Sequence, residues 1–322
     1  MGVNEVESNR AENKVKIFAL NSNRELASEI AGLLGCELGK VYVSNFSDGE
    51  IQLCVEESVR DSDVFIIQST SDPVNEHIME LLVMIDALKR ASARHINVII
   101  PYFGYARQDR LARPREPITA KLVANLLEKA GATRVLSIDL HTDQMQGFFD
   151  IPMEHLTGIP VLSQYFKNKG LEDVVVVSPH HGSIRRARKL ADILDVPLAL
   201  VDERNPEEWE TEIPNVIGNV KGKNAIIIDD LIDTGTTISM AAKALAENGA
   251  AGIYACCTHS VFTGKFREKI EWSPIKELVV TNTIQLPQEK NMQKVKTITV
   301  APLLADAIDR IHNEKAVSPL FE

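Results

Sequence analysis

Two adjacent carboxylates, Asp229 and Asp230, stand just before a run of small and hydroxylic side chains, Asp233-Thr234-Gly235-Thr236-Thr237. The apolar spacing of Ile238 to Leu245 then reads as a helix. A loop of this kind can turn its backbone N–H groups toward an anion at the helix N-terminus, with the threonine hydroxyls as further donors. The carboxylates would repel a phosphate on its own, but they accept hydrogen bonds from sugar hydroxyls and hold Mg2+ through oxygen. A phosphorylated sugar suits both halves. The plain alternative is a helix N-cap preceded by solvated acids. Three acids and three threonines around one turn argue against it.

A second chemical segment, Tyr102 to Pro117, carries Arg107, Gln108, Arg110, Arg113 and Arg115. Guanidinium groups recognise phosphate oxygens bidentately, so this loop suits a nucleotide triphosphate; a solvated loop or a subunit contact is the alternative. Phe46-Ser47-Asp48-Gly49-Glu50 taken alone is ordinary hairpin chemistry. None of the eight histidines has zinc-type spacing. Gly39-Lys40, Gly222-Lys223 and Gly264-Lys265 are each followed by the wrong residue for a P-loop.

The elements that must position these residues alternate. Ala225 to Ile228 reads as a strand buried on both faces and ending at Asp229. Further strands are expected at Val15 to Leu20, Val41 to Val43, Ile51 to Val55, Val64 to Gln68, His95 to Pro101 and Arg134 to Ile138. The second half adds Val174 to Val177, Ala199 to Val201, Ile253 to Cys256 and Glu277 to Val280. Helical patterns at Asn75 to Arg90, Thr119 to Ala130 and Leu303 to His312 fall around them. This predicts an α/β fold of two doubly wound parallel-sheet domains, with ligands at strand C-terminal ends. The expected divisions are a flexible leader over 1–14, domains over 15–152 and 153–302, and a helix and tail over 303–322 that pack back on a domain.

A chain of 322 residues with 44% hydrophobic content can bury a large core, and its net charge of -10 argues against a nucleic-acid surface. No apolar run approaches the roughly 20 residues that span a bilayer, and the start is polar and acidic. A cytoplasmic protein is expected. The four cysteines are too few and too badly spaced for a disulfide framework, which predicts reduced thiols.

The Asp229 to Thr237 stretch resembles the phosphoribosyl pyrophosphate motif of the type I phosphoribosyltransferase fold. From Val15 to Glu322 the chain resembles the bacterial ribose-phosphate pyrophosphokinases, including their Phe-Ser-Asp-Gly-Glu loop and their Tyr-Ala-Arg-Gln-Asp-Arg loop. The resemblance implies Mg2+-dependent transfer of pyrophosphate from ATP to ribose 5-phosphate, yielding phosphoribosyl pyrophosphate and AMP. It implies adenine at Phe46, Asp48 and Glu50 from a neighbouring subunit, and triphosphate at Arg107 and Gln108. It places ribose 5-phosphate at Asp229, Asp230, Asp233, Thr234, Gly235, Thr236 and Thr237, metal at His141, and a homohexamer as the assembly. A plain phosphoribosyltransferase would need neither the Phe-Ser-Asp-Gly-Glu loop nor the arginine loop.

Five positions depart from that family's pattern. Its catalytic Asp-Lys-Arg-Arg-Pro segment reads Asp202-Glu203-Arg204-Asn205-Pro206, so Glu203 and Asn205 replace two cations and Arg204 is the possible substitute. His180 replaces an Asp associated with metal or ribose, a nitrogen ligand poorly suited to Mg2+. Leu111 replaces a lysine and Thr236 a glycine. Because pyrophosphoryl transfer depends on positive charge meeting developing negative charge, these changes raise a second expectation. It is a weak or inactive homologue that regulates an active paralogue in a mixed oligomer.

Overall fold

The computed structural model describes residues 15–202, 214–290 and 292–321. The expected leader therefore lies outside the described residues. The chain divides into two compact units: one runs to Leu156 and regains the chain at Ala301, and the other is Thr157–Val300.

In the first unit, β1 (Val15–Ala19) leads through α1 (Arg24–Leu33) to an antiparallel hairpin of β2 (Val41–Asn45) and β3 (Ile51–Val55). Then come β4 (Asp63–Ile67), α2 (Val74–Arg90), β5 (His95–Ile100), α3 (Thr119–Ala130), β6 (Arg134–Ile138) and β7 (Met153–Leu156). The parallel sheet runs in the order β1-β4-β5-β6-β7. A parallel bridge from Ile17 to Leu38 lies on the other edge of β1, so the chain steps outward and then reverses, the mark of double winding. The apolar stretches 64–67 of β4 and 98–100 of β5 follow from burial on both faces, with Leu81, Ile85, Val123 and Leu127 of the helices packed on one of them.

The second unit begins with α4 (Ile159–Lys169), β8 (Val174–Ser178), α5 (Ile184–Leu194), β9 (Leu198–Asp202) and β10 (Asn215–Ile217). It continues with β11 (Asn224–Ile232), α6 (Thr236–Glu247), β12 (Gly252–Ser260), α7 (Phe266–Trp272), β13 (Glu277–Thr281) and β14 (Val295–Ile298). The order is β10-β9-β8-β11-β12-β13-β14, parallel except for β10 against β9. Ala225 and Ile227 pack with Ile238, Ala242 and Leu245 of α6, while Ile226 and Ile228 pack with Leu162 and Leu190 of α4 and α5. Each isoleucine or leucine among them contributes about 1.5–3 kcal/mol by leaving water. The last helix, α8 (Ala301–His312), joins the first unit by packing on α1.

The strand order reverses between β8 and β11, which opens a crevice at their C-terminal ends. One expectation is corrected here: β11 does not stop before the carboxylates but runs through them to Ile232. The pairing explains why. On one side β11 leaves β8 after Ile227–Val177, yet on the other it keeps pairing with β12 as far as Ile232–Ser260. Asp229 and Asp230 therefore lie on a regular strand with one neighbour gone, facing the loop that follows β8.

Candidate functional site

That loop supplies what meets the carboxylates. His180 precedes a short turn at His181–Ser183, and Gly182 donates its N–H to His180 Nδ1 at 3.0 Å. A side chain at position 182 would meet the imidazole at 2.9 Å, so glycine is what lets the backbone come this close. With Nδ1 accepting, the ring proton is on Nε2, which lies 3.1 Å from Asp229 Oδ2 as its donor. Ser183 donates to Asp229 Oδ1, and the Asp230 N–H reaches the same oxygen at 2.9 Å. Arg186, in the first turn of α5, brings Nη1 to 3.7 Å from Asp230 and 4.0 Å from Asp229.

Both acids are buried, at 8% and 5% exposure, so their charge is costly without such donors. Burial raises the Asp229 pKa and the hydrogen bond from His180 opposes it. The neighbouring Asp230 pushes upward again, and the net result is above the ordinary carboxylate value. The site thus holds an acidic pair whose charge is partly balanced by the chain itself. Both ring nitrogens of His180 are engaged, which leaves it a clamp on Asp229 rather than a group aimed at a cation.

The phosphate-cradle stretch follows directly. Gly235 caps α6 with φ of +75°, and a Cβ there would stand 3.1 Å from the Phe266 ring. Phe266 is itself stacked on Phe262 at 3.6 Å between ring centres. Asp233 is tied to the loop after β12 by the Thr263 hydroxyl, which donates to its carboxylate, and by the Thr263 N–H, which donates to its carbonyl at 3.1 Å. The Thr234 and Thr236 hydroxyls lie 3.0 Å apart, and Thr236 also accepts from Lys269. Thr237 sits half-buried in the first turn of α6, where the helix N–H groups have no intrahelical acceptors. Asp229 to Thr237 thus form one continuous strand end and helix start.

The other predicted residues stand in the first unit. Phe46 tops the β2–β3 hairpin and is 50% exposed, an apolar ring offered to solvent. The turn is closed by Phe46 N–H to the Glu50 carbonyl at 2.7 Å, and the Asp48 carboxylate accepts from the Glu50 N–H at 3.1 Å. Arg107 and Gln108 are exposed in the loop after β5. The Gln108 carbonyl accepts from Ala120 N–H and its side-chain oxygen from the Thr119 hydroxyl, which fasten the loop to the start of α3. Leu111 is exposed in the same loop. His141 is exposed past the end of β6, two residues after Asp139, a buried non-glycine with φ of +40°. Glu203, Arg204 and Asn205 lie outside the described residues.

Ser183, Arg186 and Lys269 escape sequence reasoning, although the first two follow a strand at the reversal point and are one helical turn apart. Among the described residues no group of three or more His, Cys, Asp or Glu side chains could hold a metal ion.

Residues 15–131 match the N-terminal domain of ribose phosphate pyrophosphokinase, and residues 204–322 match the phosphoribosyl synthetase-associated domain. Ribose-phosphate pyrophosphokinase of Bacillus subtilis is 62% identical over 307 residues, covering 95% of this chain and 97% of its own. The Corynebacterium ammoniagenes protein of the same name is likewise 62% identical with the same coverage. The crystal structure of phosphoribosylpyrophosphate synthetase from Mycobacterium smegmatis superposes with a TM-score of 0.89 at 41% identity, covering 94% of this chain and 99% of that one. By both matched domains and by identity along almost its whole length, the chain belongs to the ribose-phosphate pyrophosphokinase family.

Proposed function

We propose that this protein is a ribose-phosphate diphosphokinase that makes 5-phosphoribosyl 1-pyrophosphate and AMP from ribose 5-phosphate and ATP. The observation that carries the reading is the acidic pair Asp229–Asp230 continuing without a break into the Gly235-capped start of α6, within a chain 62% identical to named enzymes of this activity. The ribose hydroxyls face the carboxylates and the 5-phosphate faces Asp233 to Thr237. The C1 hydroxyl then attacks the β-phosphorus of ATP, the bond from the α-β bridging oxygen to that phosphorus breaks, and AMP leaves.

In this reading Arg107 and Gln108 receive the triphosphate, and Phe46, Asp48 and Glu50 the adenine. The exposed Phe46 ring, and the stripe Ile118, Leu122 and Leu126 at the start and along the outer face of α3, support assembly with further copies of the chain. A homohexamer of cytoplasmic location is the form carried over from the resemblance, and no described helix is long and apolar enough to cross a membrane. Magnesium brought by the nucleotide supplies charge neutralisation on the phosphate oxygens, and His141 is the residue that would hold it. The His180 nitrogens, already used by Gly182 and Asp229, do not suit that role. Nothing in the described structure or in the relatives favours the non-catalytic, regulatory alternative that the Glu203 and Asn205 substitutions raise.

The test is AMP and phosphoribosyl pyrophosphate formation by the purified protein, beside a Glu203→Lys, Asn205→Arg variant. Stoichiometric turnover by the unmodified protein is expected. No turnover by it, with turnover by the variant, would overturn the proposal and leave a folded, non-catalytic homologue.

A further inference from the structure

Lys269 has no place in the reading so far, yet its surroundings are unusual for a lysine. It is half-buried on α7, and its ammonium donates to the Thr236 hydroxyl. Among the described residues no carboxylate lies within ion-pair distance of it. The acids nearest in sequence are Glu268 and Glu271, which are not at the three- or four-residue spacing that shares a helix face. Arg267 takes Glu271 at 3.4 Å. A half-buried cation whose one side-chain acceptor is a neutral hydroxyl leaves its charge unbalanced, which costs energy unless an anion completes it.

The packing that puts the ammonium there is specific. Phe266 closes over Gly235 at the cap of α6, and Lys269 follows it by three residues on the same face of α7. The next residue, Ile270, also packs toward Gly235, and the Ser239 hydroxyl of α6 donates to the Lys269 carbonyl at 3.3 Å. The cap, the aromatic lid and the lysine form one unit. Thr236 links them, because its hydroxyl accepts from Lys269 and lies 3.0 Å from the Thr234 hydroxyl on the rim of the turn.

We propose that Lys269 is a phosphate-binding residue, which supplies the cradle's missing positive charge and makes the site select a phosphorylated over an unphosphorylated pentose. The inference rests on the assignment of ribose 5-phosphate to this turn. When the phosphate arrives at the first-turn N–H groups, the ammonium either keeps Thr236 and polarises its hydroxyl or swings from it to a phosphate oxygen. Both place a point charge where the helix terminus alone offers only partial charge.

The test uses the full chain with magnesium and the ATP analogue carrying a methylene bridge between the α and β phosphorus, which cannot transfer. Affinities for ribose 5-phosphate and for the analogue are measured by calorimetry in wild type, Lys269→Met and Lys269→Arg. Methionine keeps the stem and removes the charge. The expected result is a loss of about tenfold or more for ribose 5-phosphate in Lys269→Met, the effect of one charge-assisted hydrogen bond, with analogue affinity within about twofold. Lys269→Arg should recover most of the loss. Equal ribose 5-phosphate affinity in wild type and Lys269→Met overturns the role of Lys269 while leaving the site assignment intact. Weakening of both ligands, or failure of arginine to recover where it folds as wild type, shows a structural role and overturns it too. Absence of ribose 5-phosphate binding in wild type overturns the site assignment, and this inference with it.

Discussion

Replacing Gly235 by alanine separates two costs that the structure keeps together. Gly235 has φ of +75°, a region that costs an L-residue about 1–2 kcal/mol, and its missing Cβ lies 3.1 Å from a Phe266 ring held against Phe262. Gly222 provides the control within the same unit, since its φ is +74° and nothing lies within 4 Å of its missing Cβ. Gly222→Ala should therefore show the backbone cost alone. Gly235→Ala should add about 1 kcal/mol for the strained contact, because the stacked ring has little room to retreat. At about 2–4 °C per kcal/mol for a unit of this size, thermal midpoints should fall by about 4 °C and about 8 °C respectively. Differential scanning calorimetry of the two variants, with and without ribose 5-phosphate, reads both numbers. Gly235→Ala should also lose the ligand-induced rise in midpoint that Gly222→Ala keeps. Equal midpoints for the two variants would refute the ring argument. A Gly235→Ala midpoint equal to wild type would refute the backbone argument as well.

Two further perturbations test the electrostatics. Asp63 accepts from Arg94 through both oxygens, from His95 at 2.8 Å and from His312 of α8 at 3.2 Å. Burial alone would raise its pKa, but the Arg94 and His95 hydrogen bonds outweigh that and hold it below the ordinary carboxylate range. Its stabilising effect is therefore present above about pH 4, the unfolded value, and disappears as pH falls through the lower folded value. Asp63→Asn should cost about 2 kcal/mol at neutral pH, less than a fully buried pair because Arg94 is a third exposed, and should flatten that part of the acid limb in urea unfolding. An unchanged acid limb would sink the assignment. His180→Asp would set a third carboxylate beside Asp229 and Asp230. Its thermal midpoint should fall by a few degrees without Mg2+ and recover in millimolar Mg2+, whereas wild type should barely respond; a variant indifferent to Mg2+ would count against the clamp.

The apolar runs made the fold legible. Ala225 to Ile228 announces a strand covered on both faces, and the structure covers it with α6 on one side and α4 and α5 on the other. What the run could not reveal is that the strand continues through Asp229 and Asp230, because hydrophobicity reports burial by neighbours and not backbone pairing. The carboxylates remain in the ladder since β12 continues beside them, a property of the partner strand and invisible in β11 itself. The same limit applies to α8. Its apolar spacing showed that it must pack, but which unit receives it depends on α1 and on the reach of His312 to Asp63.

At the site, position-by-position reading marked His180 and Thr236 as departures from the family's pattern. Distances show each as one member of a pair. His180 works with Gly182, whose N–H fixes the ring tautomer and so determines that the imidazole donates to Asp229 instead of accepting from it. Thr236 works with Lys269, more than thirty residues later, and the pair adds a charge to the turn that a glycine at 236 could not have anchored. A substitution can thus recruit a side-chain partner that no motif includes. The partner is set by packing, here Phe266 against Gly235, and packing is long-range in sequence. Changes in this family's pattern therefore have to be weighed with the side chains they recruit, and His180→Asp and Lys269→Met probe the two recruited pairs separately.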